Sequence, residues 1–278
     1  MSHPLLVEAI ETSFVPLLIH NNKSGYDAQI LKQFNEPSWN NPVVRYLDSS
    51  GRDIIARRDG VWSTGGTAER MVMALKAASK KVPNYLVLAA LENAQGAEYA
   101  TFAMHCYWEG EVKLGGIAGV RETSAGWIGG KEVVNVAFNP KVVSYEKLLK
   151  TAQSMQCAST VFAHNARQKT TAKKLVRDVV DLPSASRQRP VRYTEQKYHL
   201  RRTALKYLPL TPIQLAKVNS AVYARKDYRQ YLSPRQIELD KKINKALRAD
   251  PKKLQGLAAP DAARDLQAYS KKLMARLE

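Results

Sequence analysis

The chain has two cysteines, Cys106 and Cys157, in 278 residues. Two are too few for a disulfide-stapled scaffold, and no third or fourth cysteine exists to complete a thiolate zinc site. No apolar run approaches the roughly 20 residues a membrane-spanning helix needs, so no membrane span is expected. The opening residues, Met1-Ser2-His3-Pro4-Leu5-Leu6-Val7-Glu8, lack the basic stretch of a secretory signal, and Glu8 and Glu11 interrupt the apolar ones. The expected location is cytoplasmic for the chain as it stands, or outside the cytoplasm if a signal was removed ahead of residue 1. Acidic residues are scarce in the second half. Residues 1–164 carry 16 Lys+Arg against 15 Asp+Glu, whereas residues 165–278 carry 27 against 10. A net of +17 on the second part against +1 on the first admits two readings. One is an anionic partner, such as nucleic acid, an anionic membrane surface or an acidic protein; the other is a solvated basic surface. No nucleic-acid motif accompanies the charge.

What is present is enough apolar sequence, 45%, for a real core, and enough length for two domains. Residues 5–13 predict a short helix, 14–20 a strand, 26–34 a helix, 43–48 a strand after Pro42, 53–57 a third strand and 66–80 a helix. Asp48-Ser49-Ser50-Gly51 between the second and third strands reads as a turn. This order over residues 4–80 resembles a thioredoxin-like domain, in which a cis-proline takes the place of Pro42. The Cys-x-x-Cys of that fold is missing, so the resemblance implies a packing or docking module without dithiol exchange. Pro83 marks a break, and a helix over 85–95 ends near Gly96.

Ala100 to His105 is an apolar strand leading into Cys106-Tyr107-Trp108-Glu109-Gly110-Glu111. A helix that begins at Cys106 places the thiol where free backbone amides and the positive dipole end favour the thiolate, the form that attacks sulfur. Tyr107 and Trp108 supply rings for a small apolar group. Downstream stand Gly116-Ile117-Ala118-Gly119-Val120, Gly126-Trp127-Ile128-Gly129-Gly130, Lys131-Glu132-Val133-Val134-Asn135-Val136-Ala137-Phe138-Asn139-Pro140 and Val143-Ser144-Tyr145-Glu146-Lys147-Leu148-Leu149. Taken together and in this order, these segments resemble the A-type peptide methionine sulfoxide reductases, the (S)-sulfoxide-specific class. That family has Gly-Cys-Phe-Trp, Gly-Tyr-x-Gly-Gly, His-x-Glu-Val-Val-x-Val-x-Phe-Asp-Pro and Ile-Ser-Tyr-x-x-Leu-Leu. The resemblance implies Cys106 as nucleophile, Tyr107 and Trp108 as the methyl-binding pair, Glu132 as proton donor and Trp127 in the place of a pocket tyrosine. It implies an α/β (α+β) fold with a ferredoxin-like catalytic domain, no cofactor and no metal. The implied substrate is methionine sulfoxide in peptides or small molecules, and the implied partner an external thiol reductant such as a thioredoxin.

The chain departs from that pattern at four points. The loop between Gly-Gly and the glutamate is missing. His105 replaces the glycine before the nucleophile, either to stabilise a thiolate or as a partly buried histidine. Trp127 lacks the tyrosine hydroxyl. Cys157 falls where the family has a second pocket tyrosine, which makes it either the thiol that resolves a Cys106 sulfenic acid as a Cys106–Cys157 disulfide or a small packing residue. Tyr198-His199, within Thr194 to Leu200, resembles a family segment that packs beside the pocket and is read as structural. The expected organisation is a thioredoxin-like domain over 1–82, the catalytic domain over 83–205 and a basic helical extension over 206–278. Two functions remain: thiol-dependent reduction of methionine (S)-sulfoxide, or a catalytically decayed redox-fold protein that binds a partner through its basic extension.

Overall fold

The computed structural model describes residues 3–278, which form two compact units, one closing at Ala94 and one opening at Gln95. In the first, α1 (Pro4–Ser13) and α2 (Tyr26–Gln33) precede β1 (Val43–Val44), β2 (Arg58–Asp59), α3 (Thr64–Ala77) and α4 (Asn84–Glu92). Pro4 opens α1 where its missing amide costs nothing, and Ser63 caps α3 by accepting from Gly66 N. Ala68, Met71 and Leu75, at three- and four-residue spacing, turn one face of α3 to a core shared with Leu5, Leu6, Ala9, Tyr46, Tyr85, Leu86 and Ala89.

The helices of this unit follow the sequence; the sheet does not. Residues 14–20, expected as a strand, form none, and Val15, Leu17 and Leu18 are exposed. Pro16 removes an amide that a ladder would need. The expected strand over 43–48 shrinks to Val43–Val44, paired antiparallel with Arg58–Asp59, and the expected strand over 53–57 leaves one bridge, Leu47 to Asp53. The local turn wins over the ladder here, because Asp48 Oδ1 accepts from the amides of Ser50 and Arg52. The Asn41–Pro42 peptide is cis, yet the central sheet of a thioredoxin-like domain does not form among the described residues. The helix after Pro83 packs into this first core through Tyr85, Leu86 and Ala89, so the unit extends past residue 82.

The second unit runs β3 (Glu98–Ala103), α5 (Tyr107–Gly115), β4 (Val120–Ile128), β5 (Lys131–Phe138), α6 (Tyr145–Ser154), β6 (Thr160–Ala163), α7 (Ala166–Lys173), β7 (Asp178–Asp181), β8 (Gln188–Pro190) and α8 (Tyr198–Arg201). The helices α9 (Pro212–Tyr223), α10 (Pro234–Ala249) and α11 (Leu266–Leu277) follow. The sheet order is β7-β6-β3-β5-β4-β8. Its middle, β6-β3-β5-β4, is the fourth, first, third and second strand of a βαββαβ unit with antiparallel pairings, the ferredoxin-like arrangement. Phe102, Val134, Val136 and Phe138 meet Leu114, Leu148 and Leu149 in its core. The hairpin between β4 and β5 turns on two residues, Gly129 (φ 56) and Gly130 (φ 80), both in the left-handed region that a tight turn of this twist requires.

The C-terminal helices are built into this unit. A capping box at Ser233/Gln236 starts α10, and Gln214 Oε1 accepts from Thr211 N at the start of α9; a proline follows each cap residue. Leu200, Leu208, Leu210, Val218, Ile243 and Leu273 form a second core. A Cβ on Gly115 would lie 2.9 Å from the carbonyl oxygen of Ala216, so α5 and α9 approach backbone to backbone. Lys217 Nζ donates to the Gly115 and Ile117 carbonyls at 2.8 and 2.7 Å, satisfying acceptors at the end of α5. Residues expected as a separate extension thus complete the packing around α5. A second buried cation ties in the chain after β8. Glu111, on α5 and without exposure, accepts from Lys197 Nζ at 2.6 Å and from Lys197 N at 2.7 Å. Lys197 Nζ also donates to Thr123 O at 2.5 Å, which binds the 193–198 segment to α5 and β4 together.

Two stability predictions follow from these cations. Burial lowers the Lys217 pKa to about 8, below its unfolded value. The unfolded chain therefore holds more protons above pH 8, and wild-type stability should rise relative to Lys217→Met, by about 2 kcal/mol between pH 8 and 9.5 in urea titrations. Parallel curves for the two proteins would refute this. Truncating one member of the Glu111–Lys197 pair strands a buried charge, so Glu111→Leu should cost about 3–5 kcal/mol. Adding Lys197→Leu should recover part of that loss.

Candidate functional site

Cys106 stands at the junction of β3 and α5. Its extended backbone (φ −142, ψ 118) makes it the N-cap of α5, its carbonyl accepts from Gly110 N, and its half-buried thiol is free. The amides of the first helical turn point toward it without a side-chain cap. One of them, Tyr107 N, donates to Glu132 Oε2 at 2.7 Å. Glu132 is placed there by β5, where Met104 N also donates to the Glu132 carbonyl at 2.8 Å. Because the hairpin has only Gly129 and Gly130 at its tip, Trp127 and Glu132 are directly opposite each other. The missing loop, a departure from the family pattern in sequence, is thus what fixes the tryptophan beside the carboxylate. The Tyr107 ring packs edge-on to Trp127, centroids 6.0 Å apart, and edge-on to Trp108 at 5.8 Å.

Cys157 approaches from the other side of α5. A small cleft of about 90 Å³ is lined by His105, Cys106, Glu109, Lys113, Met155 and Cys157, among others. The two cysteines therefore face one opening, whereas Glu132, Tyr107, Trp108 and Trp127 do not line it. The Cys157 backbone is fixed between Gln156 (φ 60) and Ala158 (φ 63), both left-handed, and its amide donates to Ala152 O at 2.9 Å. Burial raises the Cys157 pKa, and the nearby Lys113 ammonium opposes that shift. His105 is exposed at the rim of the cleft rather than partly buried.

The structure adds a carboxylate that the sequence reading passed over as structural. Glu195 Oε2 accepts from Trp108 Nε1 at 3.1 Å and from the Tyr107 hydroxyl at 3.5 Å. Tyr198 stacks on Trp108, 4.0 Å between centroids and 15° from parallel. Burial first, then Glu195, Glu132 and Cys106, raise the Tyr107 pKa. The signal lay in Glu195, Lys197 and Tyr198 standing within four residues, but nothing in their spacing shows that the segment crosses over α5. Among the described residues, no three His, Cys, Asp or Glu side chains gather as a metal site, and no helix is long and apolar enough to cross a membrane.

Comparison with known proteins supplies the relationship. No family model matches the chain. The peptide methionine sulfoxide reductase of Methanosarcina acetivorans is 34% identical over 110 residues, covering 28% of this chain and 58% of that protein. That of Serratia proteamaculans is 29% identical over 169 residues, covering 49% of this chain and 70% of the relative. The solved methionine sulfoxide reductase A of Corynebacterium diphtheriae is 22% identical, with a TM-score of 0.34 over 44% of this chain and 82% of that one. The chain thus spans a little over half the length of the first of these relatives. By sequence, part of the second unit is similar to the peptide methionine sulfoxide reductases.

Proposed function

We propose that the second unit reduces methionine (S)-sulfoxide, free or in peptides, through Cys106. The observation that carries this reading is the Glu132 carboxyl group, hydrogen-bonded to the amide of the residue after Cys106 and flanked by Tyr107 and Trp127. The Cys106 thiolate attacks the sulfoxide sulfur while Glu132 passes a proton to the oxygen. The S–O bond breaks with net transfer of oxygen to Cys106, releasing methionine and leaving a sulfenic acid. The Tyr107 and Trp108 rings receive the S-methyl group, and Trp127 stands opposite Glu132 across the hairpin.

Resolution falls to Cys157. Its thiol attacks the Cys106 sulfenic sulfur, water leaves, and a Cys106–Cys157 disulfide forms. An external dithiol, such as a thioredoxin, then reduces the disulfide. The shared cleft supports this pairing, and the raised Cys157 pKa makes the step slower at neutral pH than for an ordinary thiol. The first unit has no cysteine and cannot serve as the reductant.

Single-turnover reaction of the reduced protein with peptide methionine (S)-sulfoxide, without added thiol, tests the reading. One equivalent of methionine should form, and non-reducing peptide mapping should show Cys106 linked to Cys157. Cys106→Ser should abolish turnover, and Glu132→Gln should lower it about 100-fold with little change in fold. A Cys157→Ser protein that still gives one methionine but accumulates sulfenic acid completes the pattern. No methionine from the wild-type protein would defeat the reading and leave the binding-module alternative.

A further inference from the structure

Glu195 has an arrangement that packing alone does not require. In a chain of net charge +18, it is a carboxylate with no ion-pair partner among the described residues. The neighbouring cations are engaged elsewhere. Lys197 is consumed by Glu111, Arg201 pairs with Asp261, and Arg202 lies over Tyr198 and donates to its hydroxyl. One oxygen, Oε2, takes both polar groups of the Tyr107–Trp108 pair. The segment that carries it is held on both sides. Before it, the Tyr193 hydroxyl donates to Ala259 O and the Arg201 guanidinium covers the Tyr193 ring. After it, the Gln196 side chain bonds to both the amide and the carbonyl of Ala125, at 2.9 and 2.8 Å. Lys197 then adopts a left-handed backbone (φ 48) that aims its amide and its ammonium at Glu111.

We propose that Glu195 is a positioning residue of the Cys106 site, whose carboxylate fixes the Trp108 and Tyr107 rings and disfavours methionine sulfoxides that carry a free α-carboxylate. This rests on the reductase reading, since those two rings receive the S-methyl group. An indole that donates to a carboxylate cannot swing about its χ2, and a hydrogen bond to a charged acceptor is stronger than one to a neutral acceptor. The stacked Tyr198 covers one face of Trp108, and loss of Glu195 leaves the indole N–H without the acceptor that fixes its edge. The same charge repels an anionic substrate group in a partly shielded site, where water screens it less than at an open surface.

The test combines two substitutions with two readouts on the full chain. Glu195→Gln keeps an acceptor for Trp108 Nε1 but removes the charge; Glu195→Ala removes both. Wild-type kcat/KM for N-acetylmethionine sulfoxide amide should exceed that for the corresponding carboxylate by about fivefold. Glu195→Gln should erase this preference while KM for the amide stays near wild type. Glu195→Ala should raise KM for both substrates about tenfold with kcat within threefold. The second readout is independent of turnover: the Trp108 indole N–H resonance, assigned with Trp108→Phe, should move upfield in Glu195→Ala and the other three indole signals should not. An unshifted Trp108 signal overturns the positioning role, and a preference for the amide that survives Glu195→Gln overturns the charge role. If no sulfoxide is reduced by the wild-type protein, the reductase reading and the substrate preference both fall, while the indole signal still decides the geometry.

Discussion

A carboxylate without solvent contact and an ammonium nearly as buried, Glu111 and Lys197, hold the second unit to its working shape. Burying such charges is expensive, and only a dense set of partners offsets it. Here Glu111 binds both the ammonium and the amide of Lys197, Thr123 contributes a 3.3 Å hydroxyl contact, and the Thr123 carbonyl accepts from the ammonium. An apolar pair of equal volume would pack as well but would not fix the direction of a backbone amide. The pair joins α5, β4 and the segment leading into α8, three elements far apart in sequence. Glu195 and Tyr198 lie two residues before and one after Lys197, so their places on Trp108 follow from that junction.

The other side of the site depends on a turn. With two glycines at its tip, the β4–β5 hairpin has one register, and a slip of one residue would send every side chain to the opposite face. That register sets Trp127 against Glu132, and β5 in turn receives the chain just before Cys106 through Met104 N. The site is therefore framed by one tight hairpin and one buried ion pair. Neither framing device bonds to the Cys106 thiol among the described residues.

Much of the second unit was legible in the sequence because its signals are local. The thiol at a helix start, Pro212 and Pro234 after capping residues, and the apolar strand before Cys106 all follow from short-range chemistry. The family motifs carried Cys106, Trp127 and Glu132 into one neighbourhood, which no periodicity would have done. Glu195 was illegible because its role depends on where the segment crosses α5, a fact set by Lys197 reaching back to Glu111 across 86 residues. In the first unit the sequence misled where apolar residues looked like strands. Val15, Leu17 and Leu18 have the composition of a strand, but a ladder needs a partner edge, and none forms there among the described residues. The segment after residue 205 read as an appendage because its charge is visible and its contacts are not. Lys217 is one of those basic residues, yet its ammonium is spent on the carbonyls at the end of α5.

The geometry of α5 gives the proposed chemistry its order. A helix presents residues 106, 109, 110 and 113 along one side, and these line the cleft with Cys157. Residues 107, 108 and 111 point to the carboxylates and to the 193–198 segment. Cys106 stands at the helix start, between the two sides. In the proposed reaction, Glu132 serves the sulfoxide step and Cys157 the sulfenic acid step, from opposite sides of α5. Separation by one helix also means that the two proposed half-reactions can be impaired independently, since Glu132 does not line the cleft that Cys157 shares with Cys106.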